Sequence, residues 1–394
     1  MSAQSATSAS QPRLWLMGKS AFERRMPHHD GIAVLWETMW KLPCTKAVYP
    51  FHDGMYEDFE PVFKRLIADH INDGTSTEFI EAFFPTAKRL ELEADETVQR
   101  GDKTLASALY LRAACVLRIA RFPYITAYPR VNSPVKWKAW EWQKAVYMKA
   151  GSGRTVPLAE VNISHVFHKG ADRDSIPVYV RVPQSTPTKK WPVVLVLTGL
   201  DGYRPDFTVP CDELLSRGWA VILVEVPGTA DCPADSADPE SPDHLWSSVF
   251  EWMKKDQRFD MGRVLGWGLS TGGYYGIRIA HTHKNQLLAD GHEYPFQLSP
   301  AFAMKHGFES VKEYKEGVQK RFWLLELGVI QQPSTRLLLL NGTLDGLMPI
   351  EDSMMLFEYN SPKEARFFPG ASHMGNPMAF PVAHRWMEEV MASK

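Results

Sequence analysis

Cysteine is scarce in this chain, and the four present (Cys44, Cys115, Cys211, Cys232) stand singly, with no C-x-x-C pair. That spacing excludes a disulfide framework and a cysteine-based zinc site. No apolar run approaches the roughly 18 residues that a membrane-spanning helix needs. An excess of either charge is lacking too. Lys and Arg number 44 against 46 Asp and Glu, a formal net charge of −2, which gives no electrostatic case for nucleic acid or an acidic membrane surface as partner. The Ser/Ala/Gln-rich start, Met1–Pro12, lacks the apolar stretch of a secretory signal. These absences leave a cytoplasmic protein without metal or cofactor as the expectation.

What is present is material for a large core. The chain has 394 residues, 44% of them hydrophobic and 12% aromatic, so a core domain with a second module is expected. Its character changes near residue 160. Before that point the apolar pattern is helical: Leu105, Leu109, Ala113, Val116 and Ala120 fall on one helix face. Asp102 or Thr104 is placed to cap that helix, and Pro123 lies just past its end. Further helices are expected over 58–70, 77–83, 86–99 and the Trp-dense stretch 132–146. After residue 160 come short β-branched runs at 161–166, 176–182, 193–198, 220–226, 264–268, 336–340 and 365–368. The central ones are apolar throughout, as parallel strands covered on both faces must be. Helical stretches such as 211–217 and 244–255 separate them, which gives an α/β fold with a mostly parallel sheet. The expected division is a helical domain over 1–155 and an α/β domain over 156–394. Asp231–Asp243, rich in acids and prolines, reads as a solvated surface loop, with a calcium site as the less favoured alternative.

The sharpest motif is Gly268-Leu269-Ser270-Thr271-Gly272, a G-x-S-x-G sequence. The run Arg263–Trp267 supplies a strand before it and Gly272–Arg278 opens a helix after it, the context of a nucleophile elbow in an α/β-hydrolase. A serine hydroxyl needs a base, and the base needs an orienting carboxylate. In this fold the order is Ser, acid, His. Asp345 follows the strand ending at Leu340, and His373 follows the strand 365–368, so Ser270, Asp345 and His373 are the expected triad. Asp352, on an expected helix over 351–357, is the runner-up acid. The oxyanion donors are expected to be the backbone N–H groups of Thr271 and of Leu200, the latter in the loop Thr198–Gly202. Asp201 in that loop is open to two readings, a turn-forming residue or a proton shuttle and substrate-binding group.

From Ala47-Val48-Tyr49-Pro50-Phe51-His52-Asp53-Gly54 onward, nearly the whole chain resembles the fungal heptaketide hydrolases of dihydroxynaphthalene-melanin biosynthesis, and beyond them 2,6-dihydropseudooxynicotine hydrolase. The motifs that carry the resemblance are Thr198–Gly202, Gly266–Tyr275, Ala280–His283, Asn341–Asp352 and His373-Met374-Gly375-Asn376-Pro377. The resemblance implies an α/β-hydrolase core with an N-terminal helical cap and a homodimer. It also implies hydrolysis of a carbon–carbon bond beside a ketone, in a polyketide or aryl-ketone substrate of pigment metabolism. The family's acidic residue in the oxyanion loop matches Asp201.

One stretch departs from the family pattern. After the nucleophile helix a further strand is expected, yet Lys284–Tyr294 holds no β-branched residue. Burial of Lys284, Asn285, Gln286, Asp290, His292 and Glu293 would leave polar groups unpaired. The expectation is that 284–296 forms no core strand and that the strands on either side of it are abnormally related. Two alternatives therefore stand beside the carbon–carbon hydrolase: a carboxylesterase or lactonase using the same triad, and a weakly active binding protein.

Overall fold

The computed structural model describes residues 26–183, 189–281, 298–359 and 361–393. Short helical turns run from Pro27 to Thr45. Five helices follow: α1 (Tyr56–Ala68), α2 (Thr77–Glu81), α3 (Phe84–Gln99), α4 (Lys103–Arg121) and α5 (Pro134–Ser152). Of the two capping candidates, Asp102 caps α4, its Oδ1 accepting from the backbone N–H of Leu105 at 2.9 Å. Leu109, Ala113, Val116 and Ala120 are buried as the periodicity requires, but Leu105, at the first turn, is exposed. The buried stripe of α4 also carries two charged side chains, Arg118 and Arg121, which the apolar pattern alone did not single out.

The α/β part opens with β1 (Ala159–Ser164), β2 (Ser175–Arg181) and β3 (Trp191–Leu197), continues through α6 (Thr208–Ser216) to β4 (Ala220–Val224), and through α7 (Ser241–Lys255) to β5 (Phe259–Gly268). These strands form one sheet in the order β1-β2-β4-β3-β5, antiparallel at β1–β2 and β2–β4 and parallel at β3–β4 and β3–β5. Parallel neighbours need crossovers, and α6 and α7 supply them. Successive side chains of β3 go to opposite faces. Val193, Leu195 and Leu197 join a cluster with Trp246, Val249 and Met253 of α7. Val194 and Val196 join the cluster that takes in Leu214 of α6 and the helices ahead of the sheet. Covered on both faces, β3 has no position for a polar residue, which is why its sequence is continuously apolar.

After α8 (Thr271–His281) the described chain resumes with α9 (Leu298–Lys305) and α10 (Val311–Phe322), then β6 (Leu338–Gly342), α11 (Ile350–Met355), β7 (Glu364–Phe368) and α12 (Ala379–Ala392). Among the described residues β6 pairs only with β7, in a separate two-stranded parallel sheet. The segment 284–296, expected to form no strand, lies outside the described residues. The reading of 231–243 as a solvated acidic loop is corrected. Cys232, Ala234 and Ser236 are buried, and the two acids at its ends are paired, Asp231 with Arg204 and Lys144 and Asp243 with Arg278, while Glu240 is exposed. Buried Arg204 is the reason, since its guanidinium needs a carboxylate partner. No described helix is long and apolar enough to cross a membrane.

Candidate active site

Ser270 sits at the tip of the turn from β5 into α8 with φ of 53°, a conformation rare for a residue with a side chain. The flanking glycines make that turn physically attainable. A Cβ on Gly268 would lie 2.2 Å from Gly272 O, and one on Gly272 would lie 2.3 Å from Leu197 O. No side chain fits at either position. At Gly273 and Gly276 a Cβ would meet only ordinary contacts of 3.8 and 3.6 Å, so the tight approach belongs to Gly268 and Gly272.

Asp345 and His373 come from the loops at the C-terminal ends of β6 and β7, which parallel pairing brings side by side. Gly342 permits that juxtaposition, because a Cβ there would lie 2.1 Å from both Ala371 O and Ser372 O. His373 Nε2 lies 2.8 Å from Ser270 Oγ, and its Nδ1 lies 2.9 Å from Asp345 Oδ2. The other oxygen of Asp345 accepts from the N–H groups of Leu347 (2.7 Å) and Met348 (2.8 Å). Burial alone would push this carboxyl up, but His373 and those amide donors outweigh it and hold it below its ordinary value. An ionised Asp345 fixes the imidazole with Nδ1 as donor and Nε2 towards the serine. Asp352, on α11, is not the partner of Nδ1.

The loop after β3 carries the remaining expected residues. A bond from Gly199 N to Gly202 O, 3.2 Å, closes its turn. Leu200 and Asp201 are both buried, and Thr271 is buried at the first position of α8. Beneath the loop, Glu225 at the end of β4 accepts from Thr198 Oγ1 (2.6 Å) and Arg204 N (2.8 Å). Above it lies a polar hub that reading the sequence missed. Asp206 accepts from Arg118 Nε (2.7 Å), Gln143 Nε2 (2.7 Å), Tyr203 N (2.8 Å) and Arg121 Nη2 (2.5 Å). Arg121 Nη1 donates to Asp201 O at 3.0 Å. Helices α4 and α5 thus hold the loop at the C-terminal end of β3. The available signal was a pair of arginines three residues apart inside an apolar helix, since buried charges need partners.

A cleft of about 620 Å³ opens at Ser270 and His373 and runs between β5 and β6, with Leu265, Ile277, Leu338, Phe380 and Trp386 among its walls. That volume is in the range of small-molecule sites. No group of three or more metal-ligating side chains occurs among the described residues. The four cysteines are buried thiols, Cys44 and Cys211 pushed up to about 12 by burial, which makes them inert rather than nucleophilic.

No family model matches the chain. It is 28% identical over 231 residues to "Hydrolase acrC" of Aspergillus aculeatus, covering 54% of this chain and 53% of that protein. It is 24% identical over 205 residues to "Alpha/beta hydrolase pydG" of an Acremonium species, covering 49% and 46%. The chain therefore spans about half the length of the curated relatives it matches. The crystal structure of 2,6-dihydroxy-pseudo-oxynicotine hydrolase superposes with a TM-score of 0.65 at 18% identity, over 84% of this chain and 95% of that one.

Proposed function

From the α/β-hydrolase fold that this chain shares with those proteins, we propose a serine hydrolase that cleaves a carbon–carbon bond next to a ketone. Ser270 Oγ attacks the carbonyl carbon while His373 Nε2 takes its proton, and the oxyanion rests on the Thr271 and Leu200 N–H groups. Collapse breaks the bond to the α-carbon in retro-Claisen fashion, and the imidazolium returns the proton to that carbon. Water, deprotonated by His373, then adds to the acyl-enzyme and releases the carboxylic acid. The leaving carbanion needs an enolisable or phenolic ring to hold its charge. The observation that carries the reading is the unbroken chain Ser270–His373–Asp345, with links of 2.8 and 2.9 Å, at an elbow strained as nucleophile elbows are. The polyketide substrate class, a role in pigment metabolism and a homodimer come with the resembled family.

The test has two parts. A fluorophosphonate should label the chain at Ser270, and kcat should fall by about 10⁶-fold in Ser270→Ala and by about 10⁴-fold in Asp345→Asn. Product masses after incubation with aryl ketones and aryl esters then separate the bonds. Acid plus ring from a ketone supports the carbon–carbon reading, whereas turnover of esters alone replaces it with a carboxylesterase. Absence of labelling by an intact fold would sink both.

A further inference from the structure

Two strands of the five-stranded sheet end level with one another beside the elbow. Leu197 of β3 pairs with Val224 of β4 in parallel register, so Thr198 and Glu225, the residues that follow, are cross-strand neighbours. Both are buried. Backbone pairing carries one step past the ladder, from Thr198 N to Val224 O at 3.3 Å. A carboxyl group at the end of a buried strand needs hydrogen-bond partners, and the loop that leaves β3 supplies them.

Glu225 divides its two oxygens between two points of that loop. Oε2 accepts from Thr198 Oγ1 at 2.6 Å, and Oε1 accepts from Arg204 N at 2.8 Å. Arg204 Nη1 stands 3.5 Å from the same Oε1. Six residues of extended chain reach roughly 20 Å, yet here both ends of 198–204 lie on one planar group. Between them the bond from Gly199 N to Gly202 O closes the turn, and Tyr203 Oη donates to Leu200 O at 2.8 Å. The closed loop rests on the elbow: a Cβ built on Gly199 would lie 3.4 Å from Leu269 O and 3.6 Å from Ser270 Cβ. A shift at Thr198 therefore moves Leu200 relative to Ser270.

We propose that Glu225 is a positioning residue which, by clasping Thr198 and Arg204, holds the Leu200 N–H at the distance from Ser270 that the oxyanion requires. This rests on Ser270 as nucleophile and Leu200 as oxyanion donor, and it adds to that reading a residue that never touches substrate. Thr198 is the other half of the clasp. A donor serves only at about 2.7–3.1 Å from the oxyanion, and a misplacement of about 1 Å costs on the order of 100-fold in rate. Opening the clasp should therefore slow bond formation and leave binding unchanged.

The test follows the rate at which an alkyl fluorophosphonate labels Ser270, so that it needs no identified substrate. In that step Ser270 Oγ bonds to phosphorus, fluoride leaves with the bonding electron pair, and the serine proton passes to His373, while the phosphonyl oxygen occupies the oxyanion hole. Saturation of the rate with probe concentration separates binding from bond formation, and the end-point counts the folded sites. Glu225→Met keeps the bulk of the side chain and removes both acceptors. Bond formation should fall by about 100-fold, with the half-saturating concentration within about threefold and the end-point unchanged. Thr198→Val keeps the shape, opens one end of the clasp and should slow the step by about tenfold, which tests the proposal even where Glu225→Met does not fold. Adding Thr198→Val to Glu225→Met should slow it no further. Glu225→Gln should recover most of the loss, since its Oε1 can accept from Arg204 N and its Nε2 can donate to Thr198 Oγ1. Unchanged labelling rates in Glu225→Met or Thr198→Val overturn the proposal, as does failure of Glu225→Gln to recover the rate. A lower end-point at an unchanged rate per labelled chain overturns it too, because Glu225 then only supports the fold. An unmodified protein that does not label defeats the serine-hydrolase reading and the proposal with it, whereas one that labels but leaves ketones intact defeats the carbon–carbon reading alone.

Discussion

Replacing Asp206 by asparagine should be the most damaging single change of charge in this protein. The carboxylate is buried and is held by Arg118, Arg121, Gln143 and the Tyr203 amide, with both arginines themselves buried. Asparagine keeps the shape but leaves two guanidinium charges without a counter-charge. Removing one partner of a buried ion pair costs about 3–5 kcal/mol, a large share of the roughly 5–15 kcal/mol that stabilises a typical domain. Urea unfolding followed by fluorescence of the 13 tryptophans should show a lower midpoint at unchanged slope. The effect also has a pH signature. Burial pushes the Asp206 carboxyl up, but the two arginines outweigh it and hold it well below the carboxylate range. A depressed folded value means that its contribution is complete above the unfolded value of about 3.9 and is lost only as pH falls through the folded one. The gap between native and Asp206→Asn proteins should therefore stay constant from pH 8 to 5 and begin to narrow only below about 4. A loss under about 1 kcal/mol, or a gap that closes near neutrality, would refute the argument.

Two further outcomes are expected. Gly268→Ala and Gly272→Ala should each abolish activity in any soluble protein recovered, since the new Cβ meets backbone at 2.2–2.3 Å, whereas Gly276→Ala, with 3.6 Å available, should retain it; equal tolerance would mean that the elbow is not as tight as described. Burial, opposed by Arg204, pushes Glu225 up to about 7, and a raised folded carboxyl stabilises fully below its unfolded value and loses that contribution as pH rises through 7, so Glu225→Gln should gain on the native protein by about 3–4 kcal/mol between pH 4 and 8; a pH-independent difference would contradict it.

Much of this was legible before any coordinates. The strands were found because each central one is a closed apolar run, and a chain buried on both faces admits nothing else. Ser270 was found because its turn tolerates only glycine two residues to either side, which writes a steric requirement directly into sequence. Asp345 and His373 followed from their places after successive strands. The hub was not legible. Arg118, Arg121, Gln143 and Asp206 lie on three separate stretches, and only the docking of α4 and α5 on the loop after β3 brings them together. Tyr49 was hidden for the same reason, being 152 positions from Asp201, to whose carboxylate it donates. The ends of 231–243 were misread because Asp231 and Asp243 were taken as solvated when their arginine partners lay elsewhere in the chain.

The separation of β6–β7 from the five-stranded sheet changes what holds the site together. Ser270 belongs to one sheet, Asp345 and His373 to the other, and among the described residues no ladder joins β5 to β6. Ladder hydrogen bonds fix register to a single residue. Among the described residues, what bridges the two parts is mainly side-chain packing. Trp267 on β5 meets Phe380 and His384 of α12 edge-on, with centroids 5.7 and 5.6 Å apart, and a backbone bond from Thr335 N to Ala280 O, 3.0 Å, ties the approach to β6 to the end of α8. Such packing is strong but non-directional, so it resists separation more than sliding. The His373–Asp345 bond lies within one sheet and is set by the pairing of β6 with β7. The Ser270–His373 bond crosses between the sheets. Of the two bonds, the one across which the proposed mechanism passes the proton is therefore held by no ladder among the described residues, and Trp267, Phe380 and His384 are among the side chains that bridge the parts it spans.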